Sequence, residues 1–175
     1  MIIIDTLLKV LRAIKRARFV EYIIAILAAI LSVVVLLQVV FRYALNNPLH
    51  WTEEMARFLL IWIVLLGAAI GIKRKSHFSL DILVKQFPKG VQEGLAFAMD
   101  VFLFILIFDV MVNNGVYLTQ LTLRQISPAL GIRMSYVYSA VLACGTLSCF
   151  YILEDILSFI KDAIERLRER MAENV

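Results

Sequence analysis

Charge is scarce in this sequence: 18% of its 175 residues are charged, against about 25% in an ordinary soluble domain. Cysteine is scarcer, and two of them cannot staple a chain of this length, which excludes a secreted disulfide scaffold. Seven glycines and three prolines are too few for collagen, low-complexity disorder or a turn-rich all-β fold. The two histidines, His50 and His77, fall at opposite ends of one apolar run and cannot jointly hold a haem or a metal. No Walker loop, G-x-S-x-G, C-x-x-C or H-E-x-x-H string occurs, so neither a catalytic site nor a cofactor is expected. What abounds is apolar surface: 62% of the residues are hydrophobic and the mean hydropathy is +0.86. One soluble core of this size buries only about two thirds of its chain's surface, so a second apolar phase is required, and the bilayer supplies it. A net charge of +4 would suit nucleic acid, but the positions of the basic residues point to membrane topology instead.

The chain reads as an all-α integral membrane protein with four transmembrane helices and interfacial amphipathic helices, forming a single membrane domain over 1–175. Span one is 20–41, with 22–41 free of charge and long enough at about 1.5 Å per residue to cross a core of about 30 Å. It starts too late, runs too long and lacks the cleavage site of a signal peptide, so it is expected to be retained. Span two, 55–72, carries Arg57 near its outer end; span three, 95–121, contains Asp100 and Asp109; span four is 134–153. Fourteen basic residues fall before span one, between spans two and three, and after span four, leaving Arg42, Arg57, Arg124 and Arg133 on the other side. Both termini are therefore expected in the cytoplasm.

Two segments read as helices lying in the interface. In 1–18, Ile3, Leu7, Val10, Leu11 and Ile14 share one face, while Lys9, Arg12 and Arg16 on the opposite face suit anionic headgroups. In 79–88, Ser79 can cap a turn carrying Leu80, Leu83, Val84 and Phe87 on one side, and Pro88 ends it. The tail, 154–175, reads as a helical continuation of span four. No internal repeat relates the halves, so the signature of a self-sufficient secondary transporter is missing.

Ionisable groups inside a membrane need a partner or a purpose. At 100° per residue, Asp109, Asn113, Tyr117, Gln120 and Arg124 form one polar stripe from mid-membrane to the outer surface. The stripe either lines a path for an ion or faces another protein helix. The second reading is preferred, because Asp100 points the opposite way and the two carboxylates cannot share a cation. Between spans one and two, Asn47 and Pro48 suit a helix N-cap and first position. Glu53 or Glu54 can pair with Arg57, Arg42 can meet the other carboxylate, and Trp51 suits the aromatic belt. Gly67 and Gly71 give span two a G-x-x-x-G face, and Ala140, Ala143, Cys144 and Gly145 give span four a similarly thin one.

The stretch 42–77 resembles the small membrane subunit of tripartite ATP-independent periplasmic (TRAP) transporters, the DctQ-like family. The residues that carry the resemblance are Arg42-Tyr43, Pro48-Leu49-His50-Trp51-Thr52-Glu53-Glu54, Arg57, Trp62, Gly67-Ala68-Ala69, Lys73-Arg74 and His77. A weaker echo is the Ser-Pro-Ala-Leu-Gly turn at 127–131. The resemblance implies a non-catalytic scaffold in the bacterial inner membrane, partnered by a large multi-span subunit holding the sodium and substrate sites. It also implies a periplasmic binding protein that delivers an organic acid, with the sialic acid branch favoured and C4-dicarboxylates next. Arg42, Trp51, Glu53, Glu54, Arg57, Gly67, Gly71, His77, Asp109, Asn113, Gln120 and Arg124 are then candidates for partner or packing contacts, with lipids as the remaining neighbours and no nucleic acid. The rival readings are a homodimeric four-span proton-coupled exporter built on Asp109, and a redox anchor, which the histidine placement disfavours.

Overall fold

The computed structural model describes residues 8, 11, 12, 15, 18–74 and 89–173. His77, the interfacial segment 79–88 and most of 1–18 lie outside the described residues. Helix α1 is Phe19–Tyr43, α2 is His50–Lys73, and α3, Lys89–Ile107, passes through a π-helical turn at Phe108–Asn113 into α4, Asn114–Leu121. Helix α5, Ser135–Glu173, is continuous over 39 residues, about 58 Å at helical rise and far more than a bilayer core. Four of these runs are long and apolar enough to cross a membrane, and a helix suits that setting because it satisfies every backbone group internally.

The helices form an open row. α1 packs on α2, α2 on α5, and α5 on the α3–π–α4 rod. Small residues make the central contact: Ala69 of α2 and Ala140 and Cys144 of α5 are fully buried, with Tyr151 below them and Leu65, Met111 and Leu147 alongside. The two edges are bare by comparison, and Val34 is the single buried residue of α1.

Ion pairs tie the N-terminal end of the row together. Lys15 Nζ lies 2.7 Å from both Glu154 and Asp155, and Arg12 donates to Glu154 and to Ser158 Oγ, each at 3.3 Å. Arg12 is therefore held by α5, where the sequence periodicity alone placed it toward headgroups, and Leu8 and Leu11 are buried against the chain. Burial works against the Lys15 charge, but hydrogen bonds and charge from Asp155 and Glu154 outweigh it and raise the pKa above the usual lysine value. Glu21 of α1 meets Lys73 at 3.4 Å and Arg74 at 3.3 Å, closing α1 onto α2. Phe97 stacks on Phe159 with ring centroids 4.9 Å apart, fixing the start of α3 to α5.

At the far end, α1 unwinds through Asn46, whose φ of 49° is left-handed and suits asparagine better than most residues. Helix α2 then begins at His50 with an extended Leu49 as its N-cap and no side-chain cap bond. The Asn47-Pro48 capping expected from the sequence is thus displaced by two residues. Thr52 closes the first turn instead, its hydroxyl donating to the Leu49 carbonyl at 2.6 Å.

Candidate functional site

Two regions bring the candidate residues together. The first is the far end of the row, where α2 emerges beside the turn that precedes α5. That turn is tightly built: Ser127 N–H donates to Ile132 O at 2.8 Å, Met134 N–H to Gln125 O at 2.9 Å, and Gly131 takes a φ of 67° that favours glycine. Glu54 is buried against it and accepts the backbone N–H groups of Ala129 and Leu130, each at 3.0 Å. Ser127, itself buried, stands beside the same carboxylate. Glu54 is therefore a structural clamp from α2 to the α4–α5 connection, which replaces the alternative of its pairing with Arg57. The Arg57 partner is Glu53, at 3.4 Å across one helical turn, with both side chains about two thirds exposed. Arg42 meets neither carboxylate; its guanidinium lies 5.9 Å from the centroid of the Tyr43 ring. Arg42, Gln38, Pro48, His50 and Glu53 line an open cleft of about 260 Å³ between α1 and α2. Trp51 is partly exposed at the same level.

The second region is the edge formed by α3, the π turn and α4. Asp109, Asn113, Tyr117 and Gln120 are all exposed along it, and Arg124 is exposed in the turn beyond Leu121, off the helix. Asp109 and Asn113 both lie within the π turn, so the stripe is not the uniform α-helical line that constant spacing implies. The wide turn is well bonded: Asn114 sends both its backbone N–H and, at 3.0 Å, its side-chain amide to the Asp109 carbonyl. The Asn113 amide reaches the Asp109 carboxylate at 3.4 Å. Behind the turn, a Cβ added at Gly145 would stand 2.7 Å from Met111 Cβ, and one at Gly115 would stand 3.2 Å from the Leu142 backbone. Among the described residues these two glycines mark the close crossings. Gly67 and Gly71, the sequence candidates for that role, have no atom within 4 Å of an added Cβ.

Among the described residues no three His, Cys, Asp or Glu side chains gather as a metal site. The regions offer surfaces and clamps, which is the chemistry of assembly. A family model for the DctQ component of tripartite ATP-independent periplasmic transporters matches residues 31–162. The chain belongs to the DctQ family. Over 155 residues, 88% of each chain, this DctQ chain is 30% identical to the sialic acid TRAP transporter small permease protein SiaQ of Vibrio cholerae. It is 26% identical over 136 residues to the ectoine TRAP transporter small permease protein TeaB of Halomonas elongata, covering 77% of this chain and 66% of that one. The isethionate TRAP transporter permease protein DctMQ of Oleidesulfovibrio alaskensis is 31% identical over 112 residues, which are 63% of this chain and 18% of the much longer relative. This DctQ chain is accordingly a multi-pass membrane component of a transporter and not an enzyme.

Sequence reasoning missed three parts of the DctQ chain's geometry. The Trp-Thr-Glu-Glu string and the Ser-Pro-Ala-Leu-Gly turn were both visible, yet nothing in one dimension joins Glu54 to residues 75 positions later. Gly115 went unnoticed, although it is the one glycine of the outer half of span three. The π turn at Phe108–Asn113 interrupts a run whose apolar pattern reads as one continuous helix.

Proposed function

We propose that this chain is the small, non-catalytic scaffold subunit of a sodium-coupled secondary transporter that imports an organic acid. It sits in the bacterial inner membrane with both termini in the cytoplasm, as the lopsided distribution of lysine and arginine favours. Its partner is a large multi-span permease subunit that carries the sodium and substrate sites, and a periplasmic binding protein brings the substrate. The observation that carries this reading is the DctMQ match, in which a unit like this chain accounts for 18% of a longer permease. A small unit joined covalently to a larger one in a relative argues for a small chain that works bound to a larger one here.

Sialic acid is the favoured cargo, since the SiaQ match extends over 88% of both chains; C4-dicarboxylate is next. Relatives named for sialic acid, ectoine and isethionate match at similar identity, which supports a subunit that does not itself read the substrate. On the periplasmic side, Arg42, Trp51, Glu53 and Arg57 form the surface offered to the binding protein. Gly67 and Gly71, open on their Cβ side, are left for a helix outside this chain, and His77 for the cytoplasmic contact with the large subunit.

The test is a mild-detergent pull-down of the tagged chain from native membranes, with mass spectrometry of what accompanies it. A large multi-span permease at a fixed ratio is the expected result. Recovery of this chain alone as a stable homodimer would sink the reading and favour a self-sufficient exporter.

A further inference from the structure

Asp109 lies near the centre of the apolar run Gly94–Leu121, on the outward side of the open row, so hydrocarbon would face a carboxylate and an amide there. Charged and amide side chains at mid-membrane are costly against lipid and are met by protein partners or water. The opposite edge of the row makes no such demand. α1 exposes Ile26, Ile30, Val33, Leu36 and Val40, and the hydroxyl of Ser32 is satisfied by its own helix, at 2.9 Å from the Ala28 carbonyl. Acyl chains suffice for α1. They do not suffice for the π turn.

Resting on the function proposed above, we propose that the edge of span three carrying the π turn is the intramembrane seat of the large permease subunit. There Asp109 and Asn113 meet a hydrogen-bond donor of that subunit, and Tyr117 and Gln120 continue the contact outward. The wide turn suits such a contact, because Asn114 caps the Asp109 carbonyl from within, which leaves the Asp109 and Asn113 side chains on the exposed side. A second copy of this chain fits poorly. Two copies sharing one membrane orientation are related by an axis along the membrane normal, so identical residues meet at the same depth. Asp109 would then face its own twin, acceptor group opposite acceptor group, whereas a different partner can set a donor against it. The DctMQ relative also joins this kind of unit to a longer permease.

The experiment is photocrosslinking in native membranes with benzoylphenylalanine at Tyr117, or at Leu36 on the opposite edge; both positions are about two thirds exposed. An adduct with the large subunit from Tyr117, and none from Leu36, is expected. A co-purifying large subunit that crosslinks from Leu36 and not from Tyr117 overturns the placement alone. An adduct of twice the chain mass from Tyr117 overturns it in favour of a second copy, and the absence of any large companion overturns the proposed function as well. Asp109→Leu, at an unchanged level of the chain in the membrane, should lower recovery of the large subunit about tenfold, while Asp109→Asn retains most of it. Full recovery with Asp109→Leu contradicts the proposal.

Discussion

Replacing Glu54 with alanine should destabilise the chain clearly, while the same change at its neighbour Glu53 should cost less than about 1 kcal/mol. The two glutamates are adjacent in sequence and opposite in circumstance. Glu54 is buried and accepts two backbone N–H groups from residues 129 and 130. Hydrogen bonds to a charged group contribute about 1.5–3 kcal/mol each in general. Glu53 has one long ion pair with Arg57 at 3.4 Å, open to solvent, where side-chain entropy and screening cancel most of the attraction. In detergent, Glu54→Ala should lower the unfolding midpoint by several degrees more than Glu53→Ala does. Glu54→Gln, which keeps one acceptor oxygen, should fall between. Equal midpoints for the two alanine variants would contradict the clamp.

The second large effect is expected at Gly145. A Cβ there would stand 2.7 Å from Met111 Cβ and 3.0 Å from the Met111 backbone carbon. Backbone cannot swing aside as a flexible side chain does, so α5 must move away from the π turn. Overpacking of this kind costs about 1–3 kcal/mol for a methyl group, and Gly145→Leu should exceed what the row tolerates and abolish the folded fraction. Gly67→Ala provides the contrast. Nothing lies within 4 Å of its added Cβ, and alanine improves helix propensity by about 1 kcal/mol, so the isolated chain should be unchanged or slightly more stable. The accessibility of Cys144, which is fully buried next to Gly145, reports both cases: a thiol reagent should label it rapidly in Gly145→Ala and slowly in Gly67→Ala. The reverse order would mean that the close crossing is misplaced.

These contrasts also mark what the amino-acid sequence reveals. The four apolar runs announce themselves, because hydrocarbon thickness sets a length that charge-free stretches such as 22–41 must meet. The arrangement of the helices is not announced. Every face of α1 is apolar, so periodicity cannot say which of them packs on α2, and the row order follows from small residues such as Ala69, Ala140 and Cys144 meeting across the centre. At the far end, Arg57 found one of its two sequence candidates, Glu53, by simple i,i+4 geometry. The fate of Glu54 depended on a turn 75 residues away. The polar stripe was legible as a set of residue types, yet its shape was not, since a constant 100° per residue fails where the π turn intervenes. Small-residue motifs were legible only as candidates: G-x-x-x-G at Gly67 and Gly71 meets nothing within the chain, while isolated Gly115 and Gly145 carry the close contacts.

The central claim is that this chain supports transport without performing it. The most direct measurement is sodium-driven uptake of labelled sialic acid, with C4-dicarboxylate as the second substrate. It compares proteoliposomes holding this chain alone with those holding it together with its large co-purifying permease and binding protein. Uptake is expected only from the assembled system, and none above empty liposomes from this chain by itself. Sodium-driven or proton-driven movement of substrate by the chain alone would contradict the claim.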